Sequence, residues 1–425
     1  HDKLLECLKN QGVKGKFIAS LKSMYCSLLS CVRANYEFTD FFECPVGVRQ
    51  GCVLSPTLFS VFINQLANHM NANGKHGIQI LPGIMELFIL LFADDVALLS
   101  LTACGLQNQL NVLHRCCNEM KLNVNTEKTK IMVFRKGGYL GRHEQWVFEG
   151  KKLEVVNSYC YLGFNFTTMI SMKKGTDHLA TKGKRAVVQL NRVFQNYKEI
   201  TANSFFKIFD AKIQSILLYS SEIWGLTKLD HLEKVHLLAC KRCLGVPGRT
   251  PNKMVYGDLG RYPLYVNSCV SVLRYWFRLL LMDKERLPYK AYEMLLNLDK
   301  SGKDCWVSKI REILCETGFP LVWLQQGVGD IKAFLSLFKQ RLIDFFIHEW
   351  SSTIRDRDRY EGYRSFKVIL EKEKYVNDID TYCCRAVISQ LKFNVLLLNT
   401  NVHCYSNTLP NKNCPFCKSA IEDEQ

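Results

Sequence analysis

The sequence has no apolar run that is both long enough and free enough of charge to cross a membrane. Its most apolar segment, residues 87–99, contains Asp94 and Asp95 and directly follows Glu86. Charged side chains at bilayer depth are costly, so this segment is not expected to span a bilayer. Internal repeats and low-complexity tracts are also absent. The pattern is that of a globular chain without a membrane partner.

Acidic residues are scarce relative to basic ones. The chain has 40 Asp and Glu against 56 Lys and Arg, a formal net charge of +16 and a pI near 9.0. Such an excess of positive charge favours a polyanionic partner. Because no basic amphipathic helix carries lipid-type anchors, nucleic acid is expected rather than a membrane surface.

A disulfide framework is not expected either. The 19 cysteines are odd in number and scattered through apolar helical stretches, as at Cys116, Cys117, Cys240 and Cys243. This usage favours reduced thiols inside a cell. No signal peptide is recognisable, so we expect an intracellular protein of the nucleus, the cytoplasm or both, not a secreted one.

The hydrophobic pattern changes along the chain. Up to about residue 168, short strand-like runs alternate with amphipathic stretches, including predicted helices near 17–29, 55–71 and 105–122. Beyond Lys173, long amphipathic stretches predict helices near 176–197, 202–224, 230–244 and 262–297. Gly and Pro punctuate residues 245–251, which is the best linker candidate. A chain of this length is expected to form about two or three domains.

Two adjacent carboxylates, Asp94 and Asp95, lie between two apolar strand-like runs. A carboxylate removed from water is costly unless a cation or hydrogen bonds compensate it, and neighbouring carboxylates repel each other. A hard divalent cation such as Mg²⁺, which takes oxygen ligands and serves phosphoryl transfer, would offset both costs. The alternative is a solvated hairpin tip, because Asp is common in turns.

A second chemical element lies at residues 46–59, where a strand end, a glycine-containing turn and a helix start follow one another. Ser55, followed by proline, predicts the helix N-cap. Helix N-termini attract phosphate, Gly51 permits close approach to the backbone, and Arg49 and Gln50 add donors. The alternative is an ordinary strand-to-helix turn.

Four motifs in this order resemble those of non-LTR (LINE-type) retrotransposon reverse transcriptases. They are Arg49-Gln-Gly-Cys-Val-Leu-Ser-Pro-Thr-Leu-Phe59, Phe92-Ala-Asp-Asp95, Lys121-Leu-Asn-Val-Asn-Thr-Glu-Lys-Thr-Lys130 and Tyr161-Leu-Gly-Phe164. They are similar to motifs B, C, D and E of the polymerase palm. Leu218-Tyr-Ser-Ser-Glu-Ile-Trp224 is similar to a thumb-region signature.

The resemblance implies an α+β fold with three parts. These are a partial right-hand palm over 1–168, a helical thumb over 169–246, and a mostly helical C-terminal region over 252–425. It also implies RNA-directed DNA polymerisation by two-metal catalysis, with an RNA template, a DNA primer and deoxynucleoside triphosphates as partners.

Residue roles follow from the matched motifs. Asp94 and Asp95 would hold Mg²⁺ or Mn²⁺, and Lys128 or Lys130 of motif D would approach the triphosphate, where a cation offsets or protonates the leaving pyrophosphate. The implied nucleotide contacts are Arg49, Gln50 and Gly51, and the implied primer contacts are Phe92, Tyr161, Leu162 and Gly163. Taken alone, either lysine is more simply a solvated surface charge, and the Tyr161 turn a plain hairpin.

A basic stretch follows the palm motifs, with Lys184 and Arg185 near its centre. A basic helix face there could track the phosphates of an RNA–DNA duplex, which such proteins hold mainly by shape and backbone. The alternative is a merely solvated helix face. Its position after the palm motifs, where a thumb belongs, favours binding.

The sequence departs from the family pattern before the Arg49 motif. The family takes a further metal-binding carboxylate from motif A, an Asp in a Phe-Asp context, and none is found here. His1-Asp-Lys-Leu-Leu5 is similar to the segment directly after motif A in the family, so that Asp is expected a few residues upstream of His1. Asp2 is a poor substitute, because it lies in the first turn of a predicted helix and faces solvent. The missing motif supports the alternative function, a non-catalytic nucleic-acid-binding remnant or domesticated protein.

Cys414 and Cys417 have the two-residue spacing of half a zinc site. The family is similar in carrying a Cys-Cys-His-Cys knuckle near its C-terminus, so the resemblance implies Zn²⁺ in the complete protein. The second pair of ligands does not follow in this sequence. The alternative is a pair of free thiols.

Overall fold

The computed structural model describes residues 1–73, 76–81, 85–135, 137–141, 143–196, 201–379 and 381–396. The chain divides into two compact units, His1–Tyr159 and Cys160–Gln425. The first mixes helices with short strands, and the second is almost entirely helical. The sequence predicted this change of texture, and the α+β class with a helical continuation is confirmed.

Four helices and twelve short strands form the described part of the first unit. The helices are α1 (Asp2–Asn10), α2 (Lys16–Tyr25), α3 (Ser55–Asn73) and α4 (Ala103–Met120). The strands are β1 (Leu29–Ser30), β2 (Arg33–Ala34), β3 (Glu37–Phe38), β4 (Phe42–Glu43), β5 (Ile78–Leu81), β6 (Met85–Leu87), β7 (Ile89–Phe92), β8 (Asp95–Leu98), β9 (Lys130–Ile131), β10 (Val147–Phe148), β11 (Lys151–Lys152) and β12 (Glu154–Val155).

Local turns shorten several predicted strands of this unit. Residues 33–38 form the β2–β3 hairpin and not one continuous strand, because Asn35 and Tyr36 both adopt positive φ, 50° and 70°. The helix predicted from residue 105 begins at Ala103, since the Thr102 side chain accepts a hydrogen bond from the Gly105 N–H at 3.0 Å. Turn residues and caps therefore set the element boundaries.

The largest core of the first unit lies between the helices α3 and α4 and the β7–β8 hairpin. Helix α3 contributes Ile63, Leu66 and Met70, all buried. The hairpin contributes alternate residues, Ile89 and Leu91 from β7 and their cross-strand partners Leu98 and Val96 from β8. Because strand side chains alternate between faces, the other face of this hairpin points away from the core.

The described part of the second unit contains one hairpin followed by helices. The hairpin strands are β13 (Ser158–Tyr161), which begins in the first unit, and β14 (Phe164–Thr167). The helices are α5 (Met172–Asn196), α6 (Ala202–Ile208), α7 (Gln214–Leu217), α8 (Ser221–Trp224), α9 (Asp230–Leu244), α10 (Asn252–Leu259), α11 (Leu264–Leu280), α12 (Leu287–Lys300), α13 (Trp306–Glu316), α14 (Pro320–Leu324), α15 (Ile331–Asp356), α16 (Glu361–Phe366), α17 (Lys374–Asp378) and α18 (Tyr382–Lys392). A π-helical turn, Phe209–Ile213, joins α6 to α7, and a 3-10 turn, Asp358–Tyr360, precedes α16.

Helix α5 packs closely on its neighbours through a glycine. A Cβ built on Gly183 would lie 2.5 Å from Leu217 Cδ2 and 3.5 Å from Val235 Cγ1, so a larger residue there would displace the Leu217 side chain. The continuous helices predicted at 202–224 and 262–297 are broken in the structure, the first around Ser220 at φ 56° and the second between Leu280 and Leu287. The predicted linker begins at Gly245, whose φ of 65° ends α9.

The described residues contain no candidate membrane span and no disulfide bond. None of the helices in these ranges is long and apolar enough to cross a membrane. The sixteen cysteines among them are free, and six are buried, as at Cys240 and Cys243. The buried ones act as small apolar side chains in the cores.

Candidate active site

The paired acids lie at the tip of the β7–β8 hairpin. Phe92 is the cross-strand partner of Asp95, and Ala93 and Asp94 form the two-residue turn between them. Ala93 has φ 50°, in the left-handed region that residues with a Cβ avoid at a cost of about 1 kcal/mol. Asp95 shares the hairpin face with Phe92, opposite the core-facing Leu91 and Val96.

Both acids are exposed, and this corrects the burial expected from their apolar flanks. One face of the ladder packs its apolar side chains on the core. Asp94 lies in the turn beyond the ladder, and Asp95 lies on the outward face of the ladder, so both are exposed to solvent. Phe92 is also 61% exposed. The prediction that these carboxylates pay a burial penalty was wrong, and the solvated hairpin tip describes their position. Exposed acids remain available to a ligand.

The hairpin is fixed to the helices behind it, which orients its tip. Gln109 of α4 is fully buried and its amide donates to the Leu99 carbonyl, just after β8, at 3.0 Å. Leu99 N–H in turn donates to the Phe88 carbonyl at 2.8 Å, closing the base of the ladder. The core of this region also contains residues of α3, the helix that begins within the Arg49 motif. The Arg49 motif and the paired acids thus rest on one common core.

The turn before α3 is bound to the helix start by a side chain. Ser55 is the first residue of α3, not its N-cap, and its hydroxyl donates to the Arg49 carbonyl at 2.6 Å. Arg49 Nη2 donates to the Met24 carbonyl of α2 at 3.1 Å. Gln50 and Gly51 are exposed, Gly51 has φ 82°, and a Cβ there would meet no atom within 4 Å. The backbone around Gly51 is therefore open to a ligand.

Lys128 and Lys130, the two candidate lysines of the Lys121–Lys130 motif, differ in their contacts. Lys130 lies in β9 and its ammonium pairs with Glu154 of the adjacent β12 at 2.6 Å. Lys128 is exposed and forms no ion pair within the described part of the chain. The backbone around it is ordered, because Asn125 Oδ1 accepts hydrogen bonds from the N–H groups of Glu127 and Lys128 at 3.1 Å. Lys128 is the lysine of the two that can reach an external anion.

In the second unit, Leu162 and Gly163 form the turn of the β13–β14 hairpin, and Tyr161 is the last residue of β13. Leu162 and Gly163 both adopt positive φ, 47° and 78°. The Tyr219 hydroxyl donates to the Leu162 carbonyl at 2.6 Å, and His178 Nε2 donates to the Gly163 carbonyl at 2.9 Å. Sequence analysis noted the segment containing Tyr219 but assigned that residue no role, and it missed His178.

Helix α5 presents a basic surface. Its exposed cations form no ion pairs among the described residues; they are Lys173, Lys174, Lys182, Lys184, Arg185 and Arg192. The acid on this helix, Asp177, lies 3.6 Å from His231 Nε2. Unpaired cations along an exposed helix suit a phosphate backbone better than a self-neutralised surface.

The predicted metal ligands are two residues, not a cluster. Over the ranges that the structure describes, no group of three or more His, Cys, Asp or Glu side chains could hold a metal ion together. Cys414 and Cys417 lie outside those ranges. Asp94 and Asp95 supply two oxygen-bearing groups, the number that Mg²⁺ typically takes from a protein when substrate phosphates and water complete its shell.

Comparison with known proteins agrees with the motif order. Residues 1–166 match the family model of reverse transcriptase (RNA-dependent DNA polymerase). The chain is similar to the RNA-directed DNA polymerases from mobile element jockey of Drosophila funebris, 23% identical over 51% of the chain, and of Drosophila melanogaster, 23% identical over 50%. It is also 25% identical, over 49% of its length, to a probable RNA-directed DNA polymerase from transposon BS of Drosophila melanogaster.

These alignments cover little of the relatives themselves. The chain spans about a quarter of their length, 23% of each jockey protein and 22% of the BS protein. The relatives' names describe RNA-directed DNA polymerases of mobile elements, and residues 1–166 match a reverse transcriptase domain. Both comparisons therefore agree with the group of elements that the four motifs resemble.

Proposed function

We propose that this chain forms part of an RNA-directed DNA polymerase that extends a DNA primer on an RNA template. In this reaction the primer 3′-hydroxyl attacks the α-phosphate of a deoxynucleoside triphosphate, and pyrophosphate leaves. The observation that carries the proposal is the exposed, unpaired Asp94–Asp95 tip held on the same core as the Arg49 motif helix. We assign 1–168 to the palm, 169–246 to the thumb and 252–425 to a helical C-terminal domain.

Asp94 and Asp95 are the residues that would hold Mg²⁺ or Mn²⁺. Their exposure suits a site completed by substrate phosphates and by carboxylates from elsewhere in the protein. When bound, the ions would lower the pKa of the primer hydroxyl and neutralise charge on the triphosphate. The hairpin fixes the direction in which the two carboxylates point, since Gln109 and the α3 core hold its base.

The groups proposed to surround the incoming nucleotide differ in the part of it that they contact. The open backbone at Gly51 and the amide of Gln50 can contact the nucleotide, and Arg49 braces this turn through its bond to α2. Lys128 is our assignment for the lysine that meets the triphosphate, because Lys130 is paired with Glu154. A cation at that position offsets negative charge that develops on the leaving pyrophosphate.

Nucleic acid is expected to contact the chain at three further places. Phe92 is exposed beside the acids and can meet the primer end. The turn at Tyr161, Leu162 and Gly163 is the proposed primer contact, and Lys184 and Arg185 of α5 are proposed to follow the duplex phosphates. These partners fit an intracellular location in the nucleus or cytoplasm. Cys414 and Cys417 are proposed to form half of a zinc site in the complete protein.

Primer extension on an RNA template with Mg²⁺ tests the proposal. Asp94→Asn keeps the size of the side chain but removes its charge, and we expect extension to fall at least about 100-fold. Asp304→Asn, at an exposed acid of the second unit, is the matched control and should leave extension unchanged. The assay is run with the chain in its full-length protein, so that every carboxylate of the site is present.

Two outcomes would contradict the proposal. If Asp94→Asn does not reduce primer extension, the Asp94 carboxylate takes no part in the reaction. Tight binding of RNA–DNA duplex by full-length protein that never extends a primer would favour the non-catalytic alternative. A fall in both binding and melting temperature in Asp94→Asn would show that the variant is misfolded, and Asp95→Asn then replaces it.

A further inference from the structure

The turn at Leu162–Gly163 adopts a conformation that its own sequence does not favour. Both residues have positive φ, 47° and 78°, as in the two-residue turns that prefer Asn-Gly. Glycine accepts this geometry freely, but leucine does not, because its Cβ crowds the backbone. Contacts from surrounding groups can stabilise a strained turn of this kind.

Tyr219 is the first such group. Its hydroxyl donates to the Leu162 carbonyl at 2.6 Å, and a Cβ on Gly163 would lie 3.1 Å from the Tyr219 ring, so the ring packs directly on the glycine. Tyr219 is itself fixed, because Trp224 Nε1 donates to its carbonyl at 3.1 Å and the Trp224 side chain is buried. The Leu218–Trp224 segment therefore acts on the turn through one side chain.

His178 is the second group and comes from helix α5. Its Nε2 lies 2.9 Å from the Gly163 carbonyl, which can only accept, so Nε2 carries the proton. The same helix approaches β14 closely: a Cβ on Gly175 would lie 2.6 Å from Phe164 Cζ. The turn and the basic helix are thus joined by a hydrogen bond and by direct packing.

We propose that Tyr219 and His178 are positioning residues that clamp the Leu162–Gly163 turn for contact with the primer, and that couple it to the cations of α5. The inference rests on the primer role proposed above for this turn. With both turn carbonyls engaged from behind, the Leu162 side chain is left 38% exposed and available to a ligand. The Leu162–Gly163 turn, which contacts the primer, and helix α5, which contacts the duplex backbone, then move together.

Hydrogen exchange in the full-length protein tests the clamp without requiring activity. Tyr219→Phe removes the hydroxyl and keeps the ring, and we expect amides 162–164 to exchange about three- to tenfold faster, the loss of one hydrogen bond. Tyr289→Phe, at a hydroxyl without a hydrogen bond in the described residues, is the matched control. Adding Leu162→Asn creates the favoured Asn-Gly turn and should restore slow exchange in the Tyr219→Phe background.

Binding of an RNA–DNA primer–template duplex tests the purpose of the clamp. We expect Tyr219→Phe to raise the dissociation constant about three- to tenfold with an unchanged salt dependence, since no cation is lost. Lys184→Gln should instead reduce the salt dependence. Unchanged exchange in Tyr219→Phe, or faster exchange throughout the second unit with a lower melting temperature, would overturn the clamp. Wild-type protein that fails to bind the duplex would overturn the primer role alone.

Discussion

Two hairpin turns of this chain share a non-glycine residue at positive φ but differ in the contacts that hold them. The Ala93–Asp94 turn and the Leu162–Gly163 turn each connect two short strands through two residues, and each begins with a non-glycine residue at positive φ, 50° and 47°. The first turn projects into solvent and is held only at its base. The second has both carbonyls bonded to side chains from other elements.

The difference fits the roles proposed above for the two turns. The first presents charged side chains, which are stable in water and need only a fixed direction. The second presents a leucine and a glycine, whose useful property is the shape of the backbone. Contacts maintain the shape of a backbone, so the second turn depends on Tyr219 and His178. The carboxylates of the first turn depend instead on remaining open to solvent.

The largest expected effect separates two glycines that have similar φ values but different surroundings. Gly163→Ala should destabilise the protein by about 2 kcal/mol, because the added Cβ is strained at φ 78° and meets the Tyr219 ring at 3.1 Å. Gly51→Ala, at φ 82° but in open space, should cost only about 1 kcal/mol. Denaturant unfolding measures both, and equal effects would show that the Tyr219 contact contributes nothing.

A smaller effect concerns the support behind the clamped turn, where α5 shares a core with α9. Burial alone would raise the pKa of the α9 carboxyl Glu233, but hydrogen bonds from His236, Tyr256 and the Leu264 N–H hold that pKa below its usual value. A lowered folded pKa stabilises the fold above the unfolded pKa, and this stability is lost as pH falls through the folded value.

Glu233→Gln makes this dependence measurable. The variant should be less stable than wild type by about 1 kcal/mol at pH 7. The difference in stability should narrow once the pH falls below about 4.5, where the carboxyl of the unfolded chain begins to gain its proton. Thermal unfolding between pH 3 and pH 7 gives the two curves. A gap that stays constant over this range would mean that the Glu233 charge is not what the hydrogen bonds stabilise.

The smallest effect is expected at the open turn. Asp94→Ala and Asp95→Ala should each change the free energy of unfolding by less than about 0.5 kcal/mol in chelator, because both side chains are exposed and removing one relieves repulsion. Melting temperatures with EDTA measure this. A clear fall in either variant would show that the acids hold the hairpin together, which would contradict the contrast between the two turns.

Sequence reasoning found the family motifs but not the environment of their side chains. The motif order predicted the family whose model residues 1–166 match, since the identity and spacing of residues such as Arg49, Asp94 and Asp95 can be read directly from the chain. It placed the acids in an apolar setting, because the apolar flanks were read without the alternation that sends one face to the core. It also could not choose between Lys128 and Lys130, whereas the ion pair to Glu154 distinguishes them.

The sequence by itself determined the classes of structure and chemistry: strand-rich then helical texture, a basic surface, and a pair of acids between strands. These depend on residue type and local spacing, which are properties of the chain. Only the tertiary structure decided which groups are free and which are held, as with the exposed Asp94, the paired Lys130 and the clamped Leu162. Those outcomes depend on residues far apart in sequence, Lys130 on Glu154 and Leu162 on Tyr219, which meet only when the chain folds.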